Sequence, residues 1–223
     1  MAPSSYFDQI SEPIARRVAA GLSKIGLAQK SHEWHRAVEL GITPTQGQTL
    51  VTLRMHPDTG LRLGEIADRL AITVATASDV VSALAHKGLV QKQRQSEDGR
   101  ALAITLTDAG RREADRVASW SEFLLEPIAT LTPAEREIVL RCLIKVIRAL
   151  QERGLIPIAR MCVTCQYFRP NVHPDAKHPH HCALVNAAFG DHHLRLECPE
   201  HVAASHEQAT SAWSAFITRE PRA

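Results

Sequence analysis

Only three residues, Ala71-Ile72-Thr73, separate two stretches whose apolar residues recur at helical spacing, and no other feature constrains the fold as much. Before the turn, Leu63, Ile66, Ala67 and Leu70 share one helical face. After it, Val74, Ala77, Val80, Val81 and Leu84 do so, with Thr73 placed to cap the second helix. A connection this short forces a sharp angle between the helices, a helix-turn-helix. Gly88 is placed to end the second helix in a left-handed conformation, with Leu89 folding back toward Leu84. The period then changes. Residues 89–94 and 101–106 read as short strands, joined by a polar stretch containing the turn-forming pair Asp98-Gly99.

Helices are expected on either side. Ile10, Ile14, Val18, Leu22, Ile25 and Val38 recur at helical spacing over residues 8–40, as one long helix or two meeting near Gly26, and serve as core or dimer face. Thr43-Pro44-Thr45-Gln46 opens the next helix with a capping box and a proline at the first position. Thr107 caps a helix running to about residue 125, and Thr132-Pro133-Ala134-Glu135 opens a last one that stops at Gly154. The fold class is therefore mainly α with a small β-hairpin wing.

The net charge of +2 permits a polyanionic partner without requiring one, so the distribution of charge must decide. The start lacks a cationic segment followed by an apolar run, and no stretch approaches the roughly 18 apolar residues of a membrane span. A cytoplasmic protein with reduced thiols is the expectation.

A helix-turn-helix followed by a hairpin suits double-stranded DNA: the second helix fits the major groove while the wing reaches the neighbouring backbone or minor groove. Ala75, Thr76, Ser78 and Ser82 are the small side chains expected to face DNA; Asp79 would repel phosphate and receives no contact. Around them Arg62, Arg69, Lys87, Lys92, Arg94, Arg100, Arg111 and Arg112 form a frame suited to phosphates, with Arg100 at the wing tip beside Asp98.

Three segments carry a resemblance to the MarR family of winged-helix regulators: Leu63-Gly-Glu-Ile-Ala-Asp-Arg-Leu70, Leu84-Ala-His-Lys-Gly-Leu-Val90, and Asp98-Gly-Arg-Ala-Leu-Ala-Ile-Thr-Leu-Thr-Asp-Ala-Gly110. The resemblance spans about residues 8–153. It implies a homodimer held by the first and last helices of this region, palindromic operators, and repression relieved by a small-molecule or redox effector. Members of the family often bind aromatic acids near the first helices, so His32, Trp34, His35 and Trp120 are candidate pocket residues, with core or dimer packing as the alternative.

After residue 157 the composition shifts, dividing the chain into a winged-helix and dimerisation domain (1–157) and a small Cys/His-rich metal-binding domain (158–223). Eight of the twelve histidines fall between Met161 and His206, and Cys162, Cys165, Cys182 and Cys198 form a C-x2-C-x16-C-x15-C pattern. The segment reads as too polar for an ordinary core and in need of a staple. Four thiolates suit a closed tetrahedral Zn2+ site, and an iron-sulfur cluster has the same ligand requirement. Histidines such as His173, His178, His180, His181, His192, His193 and His201 are expected as outer partners rather than ligands. Cys198 is read as opening a closing helix that carries Trp213 and Phe216, and Cys142 as a packing residue. An enzyme is disfavoured. Met161 rather than proline precedes Cys162, no H-x-E partner occurs, and Gln166 follows Cys165 where covalent haem needs histidine. A protein-interaction module scaffolded by metal is the third reading.

Overall fold

The computed structural model describes residues 11–94, 102–156 and 159–218. Helix α1 (Ile14–Glu39) is unbroken through Gly26 and is followed by α2 (Pro44–Arg54), α3 (Leu63–Leu70) and α4 (Val74–His86). Strands β1 (Val90–Arg94) and β2 (Leu102–Leu106) pair antiparallel, Val90 opposite Leu106 and Arg94 opposite Leu102. Next come α5 (Asp108–Ala118), a 3-10 turn (Ser119–Leu124), the short α6 (Leu125–Ala129) and α7 (Pro133–Glu152).

The helix starts follow the chemistry of their caps. Thr43 accepts from Gln46 N while Gln46 Oε1 accepts from Thr43 N, and Thr132 and Glu135 make the same reciprocal pair. Thr73 caps α4 through Thr76 N, and Thr107 caps α5 through Gly110 N. At the other end of α4, Gly88 adopts φ +69° and Leu89 N donates back to Leu84 O, as its glycine requires. The helix after Thr107 is shorter than its periodicity suggests: it tightens into 3-10 geometry at Ser119, which turns Trp120 inward over Gly47.

The first core gathers Leu50, Leu53, Ile66, Ala77, Val81, Leu84, Ile104 and Trp120. Val74, expected on the buried side of α4, is instead 54% exposed, because it opens the helix before the first inward turn. A third stretch joins the wing: Leu61 and Ile104 exchange both backbone hydrogen bonds, at 3.0 and 2.8 Å. Gly60, at φ +63°, lies so close beneath Ile104 O that a Cβ would come within 2.5 Å of it. Along α1, Ile14, Val18, Leu22 and Ile25 remain exposed, as do Ile138, Val139 and Val146 on α7.

The C-terminal part, read as too polar for an ordinary core, has one. It consists of Met161, Val163, Phe168, Leu194 and Phe216 and closes over Ile144 of α7 with Leu140 and Ile147 alongside. A three-stranded antiparallel sheet, β3 (Phe168–Arg169), β4 (His180–Cys182) and β5 (Ala187–Phe189), lies in the order β3-β4-β5. The polar composition misleads because α7 lends one wall of this core. The closing helix α8 (His206–Ile217) starts at the Ser205 cap, so Cys198 lies in the preceding loop and not at a helix N-terminus. Cys142 is exposed on α7 rather than packed.

Candidate nucleic-acid interface and cysteine cavity

On α4, Ala75, Thr76, Ser78, Asp79 and Ser82 are all exposed, beside the two-stranded wing. The inward face, Ala77, Val81 and Leu84, fixes the helix against α2 and α3 and leaves this row of short side chains outward. Thr76 Oγ1 pairs with Thr73 Oγ1 at 2.8 Å, which orients its hydroxyl near the helix start. Lys87 is committed elsewhere: its ammonium donates to Gly41 O (2.5 Å) and Gln46 Oε1 (2.9 Å), bracing the end of α4 against the start of α2. Lys92 is exposed on β1. Arg111 is held by Asp108 and Leu106 O. Arg94 is placed only by its backbone register opposite Leu102, and Arg100 lies outside the described residues.

The four aromatic-pocket candidates are dispersed in character. Trp120 is 4% exposed in the first core, His32 stacks on Phe123 with centroids 4.5 Å apart, Trp34 is 51% exposed, and His35 Nδ1 bonds Ser31 O at 2.6 Å.

In the C-terminal part all four clustered cysteines line one cavity of about 310 Å3, with Tyr167, Phe168, Leu184, Val185 and Phe189 among its walls. Each cysteine is pinned by backbone. Cys162 N donates to Arg195 O, Cys165 closes the 3-10 turn (Cys162–Thr164) and bridges Ala203, Cys182 sits in central strand β4, and Cys198 N donates to Arg160 O. The Arg195 backbone N–H points at Cys162 Sγ (3.4 Å), and its guanidinium lies 3.7 Å from Cys198 Sγ and 3.5 Å from Glu200. Burial pushes the Cys162 thiol pKa up; the Arg195 N–H opposes this, and Cys198, Cys165 and Cys182 add to the rise. Among the described residues, no three His, Cys, Asp or Glu side chains converge on a point that would hold a single ion.

The histidines divide. His201 bonds Thr164 Oγ1 (3.0 Å) and His173 meets His181 (3.2 Å). His180, fully buried, accepts from Asn171 N at Nδ1 and so donates from Nε2 to Asp191 (2.6 Å). Arg141 Nη1 donates to both carboxylate oxygens of Asp191, at 3.0 Å each, and Arg141 Nη2 donates to Phe216 O at 2.6 Å. Arg148, one face along α7, donates to Val163 O between the two cysteines of the C-x2-C turn and lies over Trp213. The sequence reading missed these two arginines. The signal was available, since Arg141 and Arg148 interrupt the stripe of Leu140, Ile144 and Ile147 where apolar residues belong.

Burial alone would raise the Asp191 pKa, but the His180 hydrogen bond and the Arg141 charge outweigh it, leaving the carboxyl below its ordinary 3.8. A depressed carboxyl contributes its full stability above the unfolded value and loses it as pH falls from there through the lower folded value. Melting temperature should therefore fall in acid below about pH 4. Asp191→Asn should be less stable at neutral pH and show a shallower acid decline; parallel declines would refute the assignment.

Residues 40–101 match the MarR family model. The chain is 29% identical over 138 residues to the transcriptional regulator AdcR of Streptococcus pneumoniae, a match that takes in 58% of this chain and 92% of that protein. Over 70 residues it is 30% identical to the HTH-type transcriptional repressor MdtR of Bacillus subtilis, taking in 31% of this chain and 44% of that one. Among solved structures, the Staphylococcus aureus MepR–DNA complex is similar with a TM-score of 0.52 at 26% identity, covering 59% of this chain and 97% of MepR. AdcR and MepR are thus matched nearly end to end, while about two-fifths of the present chain has no counterpart in them. Residues 40–101, which begin before α2 and run through α3, α4 and β1, are thus similar to the MarR family of transcriptional regulators.

Proposed function

We propose that the chain is a homodimeric repressor that binds palindromic double-stranded DNA through α4 and the wing, and that its C-terminal part holds a four-thiolate metal centre. The observation that carries the DNA reading is the outward row Ala75, Thr76, Ser78 and Ser82 on a helix fixed from behind and flanked by a wing. Short side chains let a helix approach base edges without steric exclusion, while Lys92 and Arg100 supply phosphate or minor-groove contacts. The similar MepR has been seen bound to DNA, and the similar MdtR is a repressor. The exposed apolar residues of α1 and α7 are the surface that a second copy would cover, which supports a dimer and hence two-fold symmetric sites.

Selection from random duplexes should enrich sites with two symmetric half-sites about 10 base pairs apart, centre to centre. Affinity should fall steeply with salt. Ser78→Glu, which sets a carboxylate against the DNA, should abolish binding without unfolding the exposed position, and Arg100→Ala should weaken it by about 1–3 kcal/mol if it contacts a base. Full binding by S78E would reject α4 as the reading helix.

Zn2+, the ion expected from the sequence, and its alternative, an iron-sulfur cluster, share the Cys162, Cys165, Cys182 and Cys198 donor set. The common cavity supports a joint site for the four thiols. Sensing of a redox signal or a small molecule would act on this module or on α1.

A further inference from the structure

We infer that the cleft between the helix-turn-helix and the C-terminal part binds a small organic dianion, a compound with a carboxylate or phosphoryl group at each end. The cleft, of about 800 Å3 and open to solvent on one side, has the size of a small-molecule site. One wall is α3 with the loop that precedes it, and the other is Arg160 with the loop of Pro199 and His201. Each wall brings one arginine and one histidine, Arg69 and His56 from the first and Arg160 and His201 from the second. An arginine fork matches a carboxylate or a phosphoryl group, and a fork on each wall calls for an anionic group at each end of the ligand.

Asp58, Glu65 and Asp68 also line the cleft, so placement and not a count of formal charge decides the sign of the ligand. Asp58 and Asp68 are exposed, and Glu65 accepts from Arg62 N at 2.6 Å at the start of α3. The imidazole of His56 registers the resulting potential. Its pKa is lowered by burial first and then by the charges of Arg69 and Arg160, each of which outweighs either opposing carboxylate, Glu65 or Glu197. The cleft is therefore electropositive where His56 lies. The site also holds unspent hydrogen-bonding capacity: His56 Nε2 is buried with no partner, and Arg69 donates no hydrogen bond and forms no ion pair, among the described residues. Arg160 is already positioned, because Nη2 donates to Pro199 O and Nε lies 3.6 Å from Glu197. Its side chain is 19% exposed, too recessed for the broad surface of a duplex and accessible to a small molecule. The second wall is also the loop of Cys198, whose N donates to Arg160 O, so a ligand held by both arginines ties that loop to α3.

The test is calorimetric titration of the full-length chain, without DNA and at constant ionic strength, with the dicarboxylates from malonate to adipate, with pyrophosphate, and with acetate as the single-charge control. Saturable binding of at least one dianion, about tenfold or more tighter than acetate, is expected, and the tighter of the two chemistries names the group recognised. Arg69→Gln and Arg160→Gln should each weaken that binding about tenfold, while Lys177→Gln, exposed outside the cleft, should leave it unchanged. Arg69→Glu, at an exposed position, should remove binding with the melting temperature of the free chain retained, which separates loss of the site from loss of the fold. No saturable binding of any dianion, or binding indifferent to both arginines, overturns the inference. So does a loss of operator affinity in R69Q and R160Q without dianion binding, which would assign these cations to the DNA backbone.

Discussion

Arg141→Ala is expected to cost about 3–5 kcal/mol of folding stability, the penalty for removing one partner from a buried ion pair. Arg141 is 1% exposed, and its guanidinium divides its donors between the Asp191 carboxylate and Phe216 O while lying 4.2 Å from the centre of the Phe216 ring. Truncation leaves Asp191 charged in a half-dry site with only His180 to answer it, and leaves a carbonyl of α8 without its donor. The damage should be local. Tryptophan fluorescence from Trp213 should report loosening of the C-terminal core at lower denaturant than the far-ultraviolet signal of the winged helix. Arg141→Lys should recover only part of the loss, because an ammonium cannot reproduce the two-pronged contact. A destabilisation below about 1 kcal/mol would show that the network is a surface-like pair and not an anchor.

Gly110→Ala should be the most damaging single methyl in the winged helix, at about 1–3 kcal/mol or more, the range for overpacking a close-packed interior. A Cβ at this position would meet Leu89 O at 1.8 Å and Leu89 C at 2.9 Å. Leu89 O accepts from Thr107 N, and Thr107 both caps α5 and donates its hydroxyl to Gly88 O. The methyl therefore pushes against the stretch that closes α4 and opens β1, so the wing must shift relative to the helix. Two measurements separate the consequences. Thermal melting reads the strain, and operator affinity at a temperature where the variant is folded reads the displacement of the wing. A melting temperature unchanged from the parent would contradict the close approach.

The winged helix was legible because local rules and global fold agree there. Thr43, Thr73, Thr107 and Thr132 all cap where their hydroxyls allow, Gly88 turns where only a residue tolerant of positive φ is comfortable, and the three-residue turn leaves little choice of geometry. The cysteine set was legible as a set, since all four line one cavity. What escaped was whatever depends on partners distant in sequence. The Leu61–Ile104 bridge pairs a loop with a strand across the wing, and no periodicity announces it. The second core looked too polar because its count left out Ile144, Leu140 and Ile147, which α7 supplies from outside the segment. Cys198, expected to open the closing helix, lies instead in the loop before it, where the Arg195 guanidinium is its positive neighbour.

Helix α7 faces two ways. One side carries Arg141, Ile144 and Arg148 into the C-terminal core, and the other leaves Ile138, Val139 and Val146 at the surface. A rigid rod shared by two contacts makes them reciprocal. If association of two chains alters how α7 is held, then by thermodynamic linkage whatever ligand tightens the C-terminal module upon association must tighten association by the same factor. The subunit equilibrium would then be an instrument for reading the occupancy of a site that lies on a different part of the chain, without any need to follow that site directly.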